Sequence, residues 1–435
     1  MTYDYDAIIV GGRVAGSHLA ARLAKYGFNV LLLERDEFPS LPAVSSPIIF
    51  SATMQLLDEI RADENEYAKN TPPLRQMMAV AGGEEIAIAL PEYQGRDYAY
   101  AIDRARFDAS LWDTAMRYET VVGRQNFSVT DLIWENERVI GVVGKEKGGA
   151  EETFTAKTVI GADGRFGIVG RKVNVSKIDI HDEHPTSIYY AYWRNVAQVN
   201  NTPSAITYEA KNYTYLTMDS ADGETVITIE GRADSLDPQA GKIESFYLSL
   251  LEENPYLQAR MQNAEMVTSV RGMKNIGNSY HQAGGAGWAL VGDAYHQKDP
   301  ADGQGMYNAV ITGKALARQM LRWKNGEVSW DEAIKEYDTV ARIKTYAMYK
   351  SLQTRIKTSF YSEGNPPIPA WAQKNLSRWV LDDEEFMTLA GKFITRELPA
   401  DYVTLMATPT LIGAVARGFR KDVEKRIKKR LPFLG

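Results

Sequence analysis

The first 35 residues contain a pattern that narrowly restricts their local fold. An apolar run at residues 5–10 is followed by Gly11-Gly12-Arg13-Val14-Ala15-Gly16 and by a helical pattern that ends near Gly27. A second apolar run at residues 30–33 ends at Glu34. Two apolar strands joined by a glycine turn and a helix predict a parallel βαβ unit. Such a unit places a pyrophosphate on the helix N-terminus and a ribose hydroxyl on the acidic residue.

The glycine turn departs from the G-x-G-x-x-G pattern at one position. Arg13 stands where the middle glycine normally lets the backbone approach the phosphates. We therefore expect its guanidinium to offer charge to the pyrophosphate. The other candidate cofactor-binding residues of this unit are Gly11, Val14, Ala15, Gly16, Glu34 and Arg35. Taken alone, the motif leaves a nucleotide-free α/β turn as an alternative.

Two further glycine motifs follow apolar, strand-like runs. The first is Val159-Ile160-Gly161-Ala162-Asp163-Gly164, and the second is Trp288-Ala289-Leu290-Val291-Gly292-Asp293-Ala294. The second motif is followed by Asp299-Pro300 and by Gly303-Gln304-Gly305-Met306, where a helix is predicted over residues 305–318. Three such motifs in this order favour a single composite site over three unrelated turns.

With these motifs the chain resembles the FAD-dependent monooxygenases of the aromatic-hydroxylase type. The wider group also contains flavin-dependent halogenases and geranylgeranyl-type reductases. The resemblance implies an FAD site in which Asp293 binds the ribityl chain, while Arg104 and Asp163 support the pyrophosphate side. It also implies that the segment from Pro300 to Met306 flanks the isoalloxazine, where the helix N-terminus would face the O2/N1 edge. The remaining residues assigned to FAD are Gly164, Gly292, Gly303, Gln304 and Gly305.

The same resemblance implies a reaction. NAD(P)H reduces FAD and leaves, O2 adds at flavin C4a to give a hydroperoxide, and an apolar, aromatic or polycyclic small molecule is oxygenated. No catalytic residue is identified, and His296 is expected to pack against the cofactor more often than to act in catalysis. The alternative is reduction of a double bond in a prenyl or lipid-like substrate, although the Cys-Gly residues common in such reductases are absent. A flavin-binding adaptor without enzymatic activity is a third possibility.

The order of the motifs predicts an α/β fold made of two interleaved domains and a tail. A Rossmann-like FAD-binding domain is expected over residues 1–75, 103–185 and 286–345, and a mixed β-sheet substrate domain over residues 76–102 and 186–285. A mostly helical C-terminal region follows over residues 346–435. The tyrosines on the predicted strands of the second domain suit a substrate pocket, although tyrosine is also common in half-buried strands. Those assigned to the substrate are Tyr190, Tyr192, Tyr208, Tyr213 and Tyr215.

Composition excludes several kinds of chemistry. The 435-residue chain has no cysteine, so disulfides and thiolate catalysis are excluded, and its five histidines show no metal-binding spacing. A net charge of −6 argues against a nucleic-acid partner. No apolar run reaches membrane-spanning length, and the first strand leaves no room for a signal peptide, so a cytoplasmic location is expected.

The C-terminus combines basic residues with a helical apolar stripe. Basic residues dominate from 417 to 430, while Phe419, Val423, Ile427 and Leu431 fall on one helical face. Such a helix suits weak contact with an anionic membrane surface. The alternative is a terminal helix that packs this stripe against the protein.

Overall fold

A computed structural model of the chain describes residues 3–42, 46–81, 84–362, 370–394 and 400–430. Within these ranges it has the predicted α/β fold class, with two large mixed sheets and a helical C-terminal part. The strands are β1 (Tyr5–Val10), β2 (Val30–Leu33), β3 (Ile48–Ile49), β4 (Gln76–Ala81), β5 (Glu84–Ala89), β6 (Tyr100–Ala101), β7 (Val121–Arg124), β8 (Phe127–Glu135), β9 (Arg138–Glu146), β10 (Glu152–Gly161), β11 (Lys177–Arg194), β12 (Ala205–Glu209), β13 (Tyr213–Asp219), β14 (Glu224–Arg232), β15 (Glu265–Met266), β16 (Arg271–His281), β17 (Gly284–Gly285), β18 (Trp288–Leu290) and β19 (His296–Gln297).

The helices occur between the strands and then alone at the C-terminus. They are α1 (Val14–Lys25), α2 (Ser51–Asp58), α3 (Glu64–Tyr67), α4 (Arg104–Met116), α5 (Ile168–Lys172), α6 (Ile243–Glu252), α7 (Pro255–Arg260), α8 (Gly305–Lys324), α9 (Trp330–Phe360), α10 (Ala370–Leu381), α11 (Glu384–Ile394) and α12 (Ala400–Arg430).

The first sheet has the strand order β17-β18-β10-β1-β2-β7, and β9 and β8 extend it by antiparallel pairing from β10. Strands β18, β10, β1, β2 and β7 run parallel to one another. Ile8, Ile9, Leu31 and Leu32 are fully buried, as expected of central strands with helices on both faces. Because parallel strands end at the same edge, the segments that follow β1, β10 and β18 are brought together there.

The second sheet has the order β19-β16-β11-β14-β13-β12-β4-β5. Its longest strand, β11, begins at Lys177, whereas the substrate domain was expected to begin at residue 186. Antiparallel strands alternate their side chains between the two faces. One face contacts the two-stranded β3–β6 sheet, and the other packs against α6 and α7.

The C-terminal helices form a separate layer. Arg417 of α12 donates to the Asp383 carboxylate through Nε at 2.7 Å and Nη2 at 2.8 Å, and Trp379 of α10 donates to Asp422 of α12 at 3.0 Å. None of the helices in the described ranges is both long and apolar enough to cross a lipid bilayer.

Candidate active site

The three glycine motifs meet at the carboxyl edge of the first sheet. Val10 at the end of β1 pairs with Gly161 at the end of β10, and Gly161 pairs with Leu290 at the end of β18. Open parallel sheets bind their ligands at this edge. The sheet register therefore assembles one site from segments that are far apart in sequence.

Gly11 and Gly16 are required by close packing in the first turn. Gly11 has φ +102°, and a Cβ on it would lie 2.5 Å from the Ala162 carbonyl oxygen. A Cβ on Gly16 would lie 1.8 Å from the Gly11 carbonyl oxygen. Val14 and Ala15 begin α1, which has neither a side-chain cap nor an acidic residue in its first turn. This helix N-terminus can therefore accept an anion such as a pyrophosphate.

Glu34 lies beside this turn at the end of β2. Its Oε2 accepts a hydrogen bond from the Gly12 amide at 2.7 Å, and its Oε1 accepts one from the Asp36 amide at 3.1 Å. Each carboxylate oxygen has a second lone pair, so a ribose hydroxyl can still donate to Glu34. Arg35 points outward, with 76% of its side chain exposed.

Arg13 is paired with protein oxygens around the first turn. Its Nη1 donates to Asp108 at 2.8 Å and to the Ser40 carbonyl oxygen at 2.9 Å. Its Nη2 donates to Asp36 at 3.0 Å and also contacts Ser40 and Leu41. Arg13 thus connects the segment after β2 to α4, and its contact with the pyrophosphate stays a prediction.

Arg104 shares the same buried carboxylate. It begins α4, whose N-cap Asp103 accepts the Arg106 amide at 2.7 Å. Its Nη2 donates to both oxygens of Asp108, at 2.9 and 3.1 Å, and Asp108 is fully buried. Asp108 therefore lies between two arginines. Sequence reasoning missed it, although its i,i+4 spacing from Arg104 was a usable signal.

The two carboxylate oxygens of Asp163 differ in their hydrogen bonding. Its Oδ2 accepts the Val169 amide at 3.0 Å, whereas its buried Oδ1 has no hydrogen-bond partner in the described part of the chain. Burial raises the pKa of Asp163 to about 6. The next residue, Gly164, has φ +76° and open space where a side chain would point. A polar ligand group at this position would satisfy the carboxyl.

Asp293 lies on a short turn that packs directly against the first motif. A Cβ on Gly292, which has φ +59°, would lie 3.0 Å from the Cβ of Ala15. Burial raises the pKa of Asp293, while Arg165 and Arg104 partly offset this rise. Unlike Glu34, Asp293 makes no side-chain hydrogen bond to any described residue. Its carboxylate is therefore available for a ligand hydroxyl.

The segment from Pro300 to Met306 forms an open rim beside this carboxylate, and we call it the flavin rim. Pro300 begins a short helical turn that ends at Gly303, whose φ is +65°. Gln304 then precedes α8 without a side-chain cap, and Met306 is buried in its first turn. A Cβ on Gly305 would meet no atom within 4 Å. The uncapped N-terminus of α8 thus faces open space, which suits the electron-rich pyrimidine edge of a flavin.

These features fit FAD. The uncapped α1 turn and Glu34 suit the adenosine diphosphate half, Asp163 and Asp293 offer free oxygens in the middle, and α8 suits the isoalloxazine. Fold and site together define an FAD-dependent oxidoreductase. The chain belongs to the family described as FAD binding domain, whose model matches residues 4–345.

Two groups of known proteins are similar to the chain. It is 26% identical over 368 residues to the digeranylgeranylglycerophospholipid reductase of Methanocella arvoryzae, covering 82% of this chain and 87% of that protein. Among solved structures, the flavin-dependent brominase Bmp2 superposes with a TM-score of 0.78 at 17% identity, covering 96% and 99% of the two chains. A geranylgeranyl bacteriochlorophyll reductase-like protein from Thermoplasma acidophilum has a TM-score of 0.64 at 18% identity, covering 98% of each chain. The two structural similarities support the fold alone.

His296 is enclosed by aromatic rings. It stacks on Tyr280 with ring centroids 3.9 Å apart and planes 5° apart, and Tyr349 lies edge-on at 5.1 Å. Burial lowers the pKa of His296 well below its usual range, so the ring is neutral. This environment agrees with a packing role.

Two of the five predicted substrate tyrosines lie on the face that contacts β3 and β6. Tyr190 and Tyr192 are two residues apart on β11, and their ring centroids are 6.3 Å apart. They join an apolar cluster that includes Ile48 and Phe50. A Cβ on Gly303 would lie 2.6 Å from Ile48, so the flavin rim and this cluster are in contact.

The other three predicted tyrosines lie on the opposite face, so the structure does not bring them to the flavin side with Tyr190 and Tyr192. The Tyr208 hydroxyl accepts from Arg260 at 2.7 Å, Tyr213 donates to Glu253 at 2.5 Å, and Tyr215 donates to the Leu250 carbonyl oxygen at 2.6 Å. All three partners belong to α6, α7 or the two residues joining them. Alternation along the strands placed these side chains away from the flavin rim.

A buried pair of acidic residues was missed. The Glu230 side chain of β14 lies beside Asp299, which immediately precedes Pro300. Thr186 donates to Asp299, and Asp299 caps the following turn by accepting the Ala301 amide at 2.9 Å. Burial and the neighbouring Asp299 charge raise the pKa of Glu230 well above its usual range. The pair fixes the start of the flavin rim to the second sheet.

Proposed function

We propose that this oxidoreductase saturates a carbon–carbon double bond in an apolar, prenyl-type substrate. The observation that carries the proposal is the aliphatic character of the cluster beside Gly303. The similarity to a digeranylgeranylglycerophospholipid reductase over most of both chains supports it. The comparison therefore favours the alternative prediction over oxygenation.

This cluster, which we call the aliphatic cluster, has the composition expected of a binding surface for a flexible hydrocarbon chain. Most of its members are aliphatic, and Met77 and Met218 offer unbranched side chains that adapt to an irregular ligand. Burial of each substrate CH₂ contributes about 0.8 kcal/mol, so a long isoprenoid gains affinity without many polar contacts. The members are Ile48, Phe50, Leu74, Met77, Leu90, Ala99, Ala101, Tyr190, Tyr192, Ala205, Leu216, Met218 and Val226.

Different parts of the chain have different roles in such a reduction. FAD, once reduced by NAD(P)H, supplies the hydride equivalent. The N-terminus of α8 stabilises negative charge at the pyrimidine edge, and the aliphatic cluster excludes water and orients the double bond. Saturation also needs one proton on the second carbon. Within the cluster, Tyr190 and Tyr192 are the side chains with an exchangeable proton, and we assign them as the candidate donors.

Oxygenation of an aromatic or polycyclic substrate with NAD(P)H and O2 is the second candidate. The phenol rings of Tyr190 and Tyr192 favour it, because they can stack on and hydrogen-bond to an oxygen-bearing ring. The two candidates differ in whether O2 is consumed.

Single-turnover reduction under anaerobic conditions distinguishes them. The purified protein is reduced chemically, mixed without O2 with a geranylgeranyl-bearing lipid or with a phenol, and followed by flavin absorbance and product mass. We expect the prenyl lipid to reoxidise the flavin and to gain two hydrogen atoms per double bond reduced. The reaction is repeated with isotopically labelled O2. Flavin reoxidation that requires O2, with one labelled oxygen atom in the product, would contradict the proposal and support oxygenation.

A further inference from the structure

The last described helix has an exposed apolar face. Residues at intervals of four, Thr410, Ala414 and Gly418, are buried against the other C-terminal helices. On the opposite side of α12, Ile412 is 64% exposed, Phe419 58%, Ile427 50% and Val423 37%. With 3.6 residues per turn, these four side chains form one stripe along the helix. We call them the outer stripe; Leu431, predicted to extend it, lies outside the described residues.

The orientation of α12 is fixed by contacts on its inner side. Arg417 is paired with Asp383, and Asp422 accepts hydrogen bonds from Arg378 and Trp379. A Cβ on Gly418 would lie 2.3 Å from Trp379, so the helix packs closely there. The outer stripe therefore cannot turn inward without breaking these contacts. Phe419 contacts Trp379 edge-on, with ring centroids 5.8 Å apart. All four side chains of the stripe nevertheless remain at least 37% exposed, so the described part of the protein does not bury the stripe.

The charge around the outer stripe is opposite to that of the rest of the chain. Residues 417–430 contain eight basic and two acidic residues, a net charge of +6, whereas the whole chain carries −6. The other residues therefore carry a net charge of −12. Arg420 and Arg426 are exposed and flank the stripe on its two sides. An apolar stripe with basic flanks is the pattern of a helix that lies in a membrane interface.

We propose that the outer stripe of α12 docks on the surface of an anionic lipid bilayer. A second copy of this chain is a poor occupant, because pairing two such faces would bring two segments of +6 together. A bilayer accepts a convex stripe without a matching groove, and anionic headgroups complement both flanks. The proposal concerns attachment and does not depend on which reaction the flavin site performs.

Vesicle flotation with the full-length, FAD-loaded protein tests the proposal without any substrate. Vesicles of phosphatidylcholine with phosphatidylglycerol are compared with pure phosphatidylcholine at low and high ionic strength. We expect binding to the anionic vesicles alone, and a loss of binding as salt increases. Absence of binding to anionic vesicles at low ionic strength would overturn the proposal.

Two variants and their matched controls separate the apolar and charged contributions. Ile412→Ser with Ile427→Ser should weaken vesicle binding by roughly tenfold or more, whereas Ile343→Ser on α9, where Ile343 is 66% exposed, should not. Arg420→Glu with Arg426→Glu should weaken binding by roughly tenfold or more, whereas Lys335→Glu with Lys344→Glu should not. Equal losses in variants and controls, or loss of a lipid-independent dimer in the isoleucine variant, would contradict docking on lipid. Unchanged FAD content shows that each variant is folded.

Discussion

The Glu230 side chain lies beside Asp299, the residue immediately before the flavin rim. Asp302 adds negative charge nearby and Arg355 of α9 adds positive charge, but burial is the largest cause of the raised pKa of Glu230. This acidic pair lies where the second sheet meets the FAD-binding domain.

This pair predicts a specific dependence of stability on pH. Because the folded-state pKa of Glu230 is raised, its contribution to stability is complete below the unfolded value of about 4.3 and is lost as pH rises toward the folded value. Glu230→Gln keeps a donor to Asp299 and cannot ionise. Above about pH 4.3 we expect the free energy of unfolding of the wild type to fall, relative to that of the variant, as the pH rises. Denaturant unfolding at several pH values measures this, and parallel curves would contradict it; Glu209→Gln, at the exposed end of β12, is the control.

Substitutions of Asp293 and Glu34 should differ in their effects on FAD binding and on the stability of the apoprotein. Loss of the acceptor for a ribityl hydroxyl costs about 1–3 kcal/mol, so Asp293→Ala should weaken FAD binding by roughly tenfold or more. Because Asp293 has no hydrogen bond to a described residue, the apoprotein should keep its stability. Glu34→Ala should lower both the affinity for FAD and the stability of the apoprotein, since Glu34 also accepts hydrogen bonds from the Gly12 and Asp36 amides. Fluorescence titration with FAD and urea unfolding of the apoproteins measure the two effects; unchanged FAD affinity in Asp293→Ala would exclude the assigned role.

Replacing Arg13 should affect stability more than electrostatic attraction for the cofactor. Arg13→Ala removes the ties to Asp36, Ser40 and one side of Asp108, so we expect a loss of about 2 kcal/mol in the free energy of unfolding. Any loss of FAD affinity should be similar at low and high salt, because the guanidinium charge is already paired. Unfolding and FAD titration at two ionic strengths test this. A loss of FAD affinity confined to low salt would instead support a direct contact between Arg13 and the pyrophosphate.

The two faces of the second sheet should respond differently to substitution. Tyr192→Ala enlarges the wall beside the flavin rim and should lower kcat/KM for an apolar substrate by about tenfold. Tyr208→Phe should leave kcat/KM unchanged and lower stability by about 1 kcal/mol, because Arg260 loses an acceptor. Steady-state kinetics and thermal unfolding of both variants are the measurements. Equal kinetic losses would place substrate on both faces.

The first sheet was predictable because its signals are local. Gly16 is needed for a contact within its own turn, and Ser329 with Glu332 forms a capping box within four residues at the start of α9. The second sheet was less predictable. Which tyrosines face the flavin depends on strand register and on where α6 and α7 pack, and neither is encoded near Tyr208 or Tyr215. The partners of Arg13 and Glu230 likewise come from distant segments.

The continuity of β11 has a consequence for how the site can be studied. Thr186, which donates to Asp299 at the flavin rim, and Tyr190 and Tyr192, which line the aliphatic cluster, lie on the same face of this one strand. A displacement of the strand at one end is therefore transmitted to the other. Occupation of the cluster by a non-reacting hydrocarbon should perturb the visible absorption of the oxidised cofactor, so the flavin itself serves as an optical sensor for ligand screening before any turnover is known.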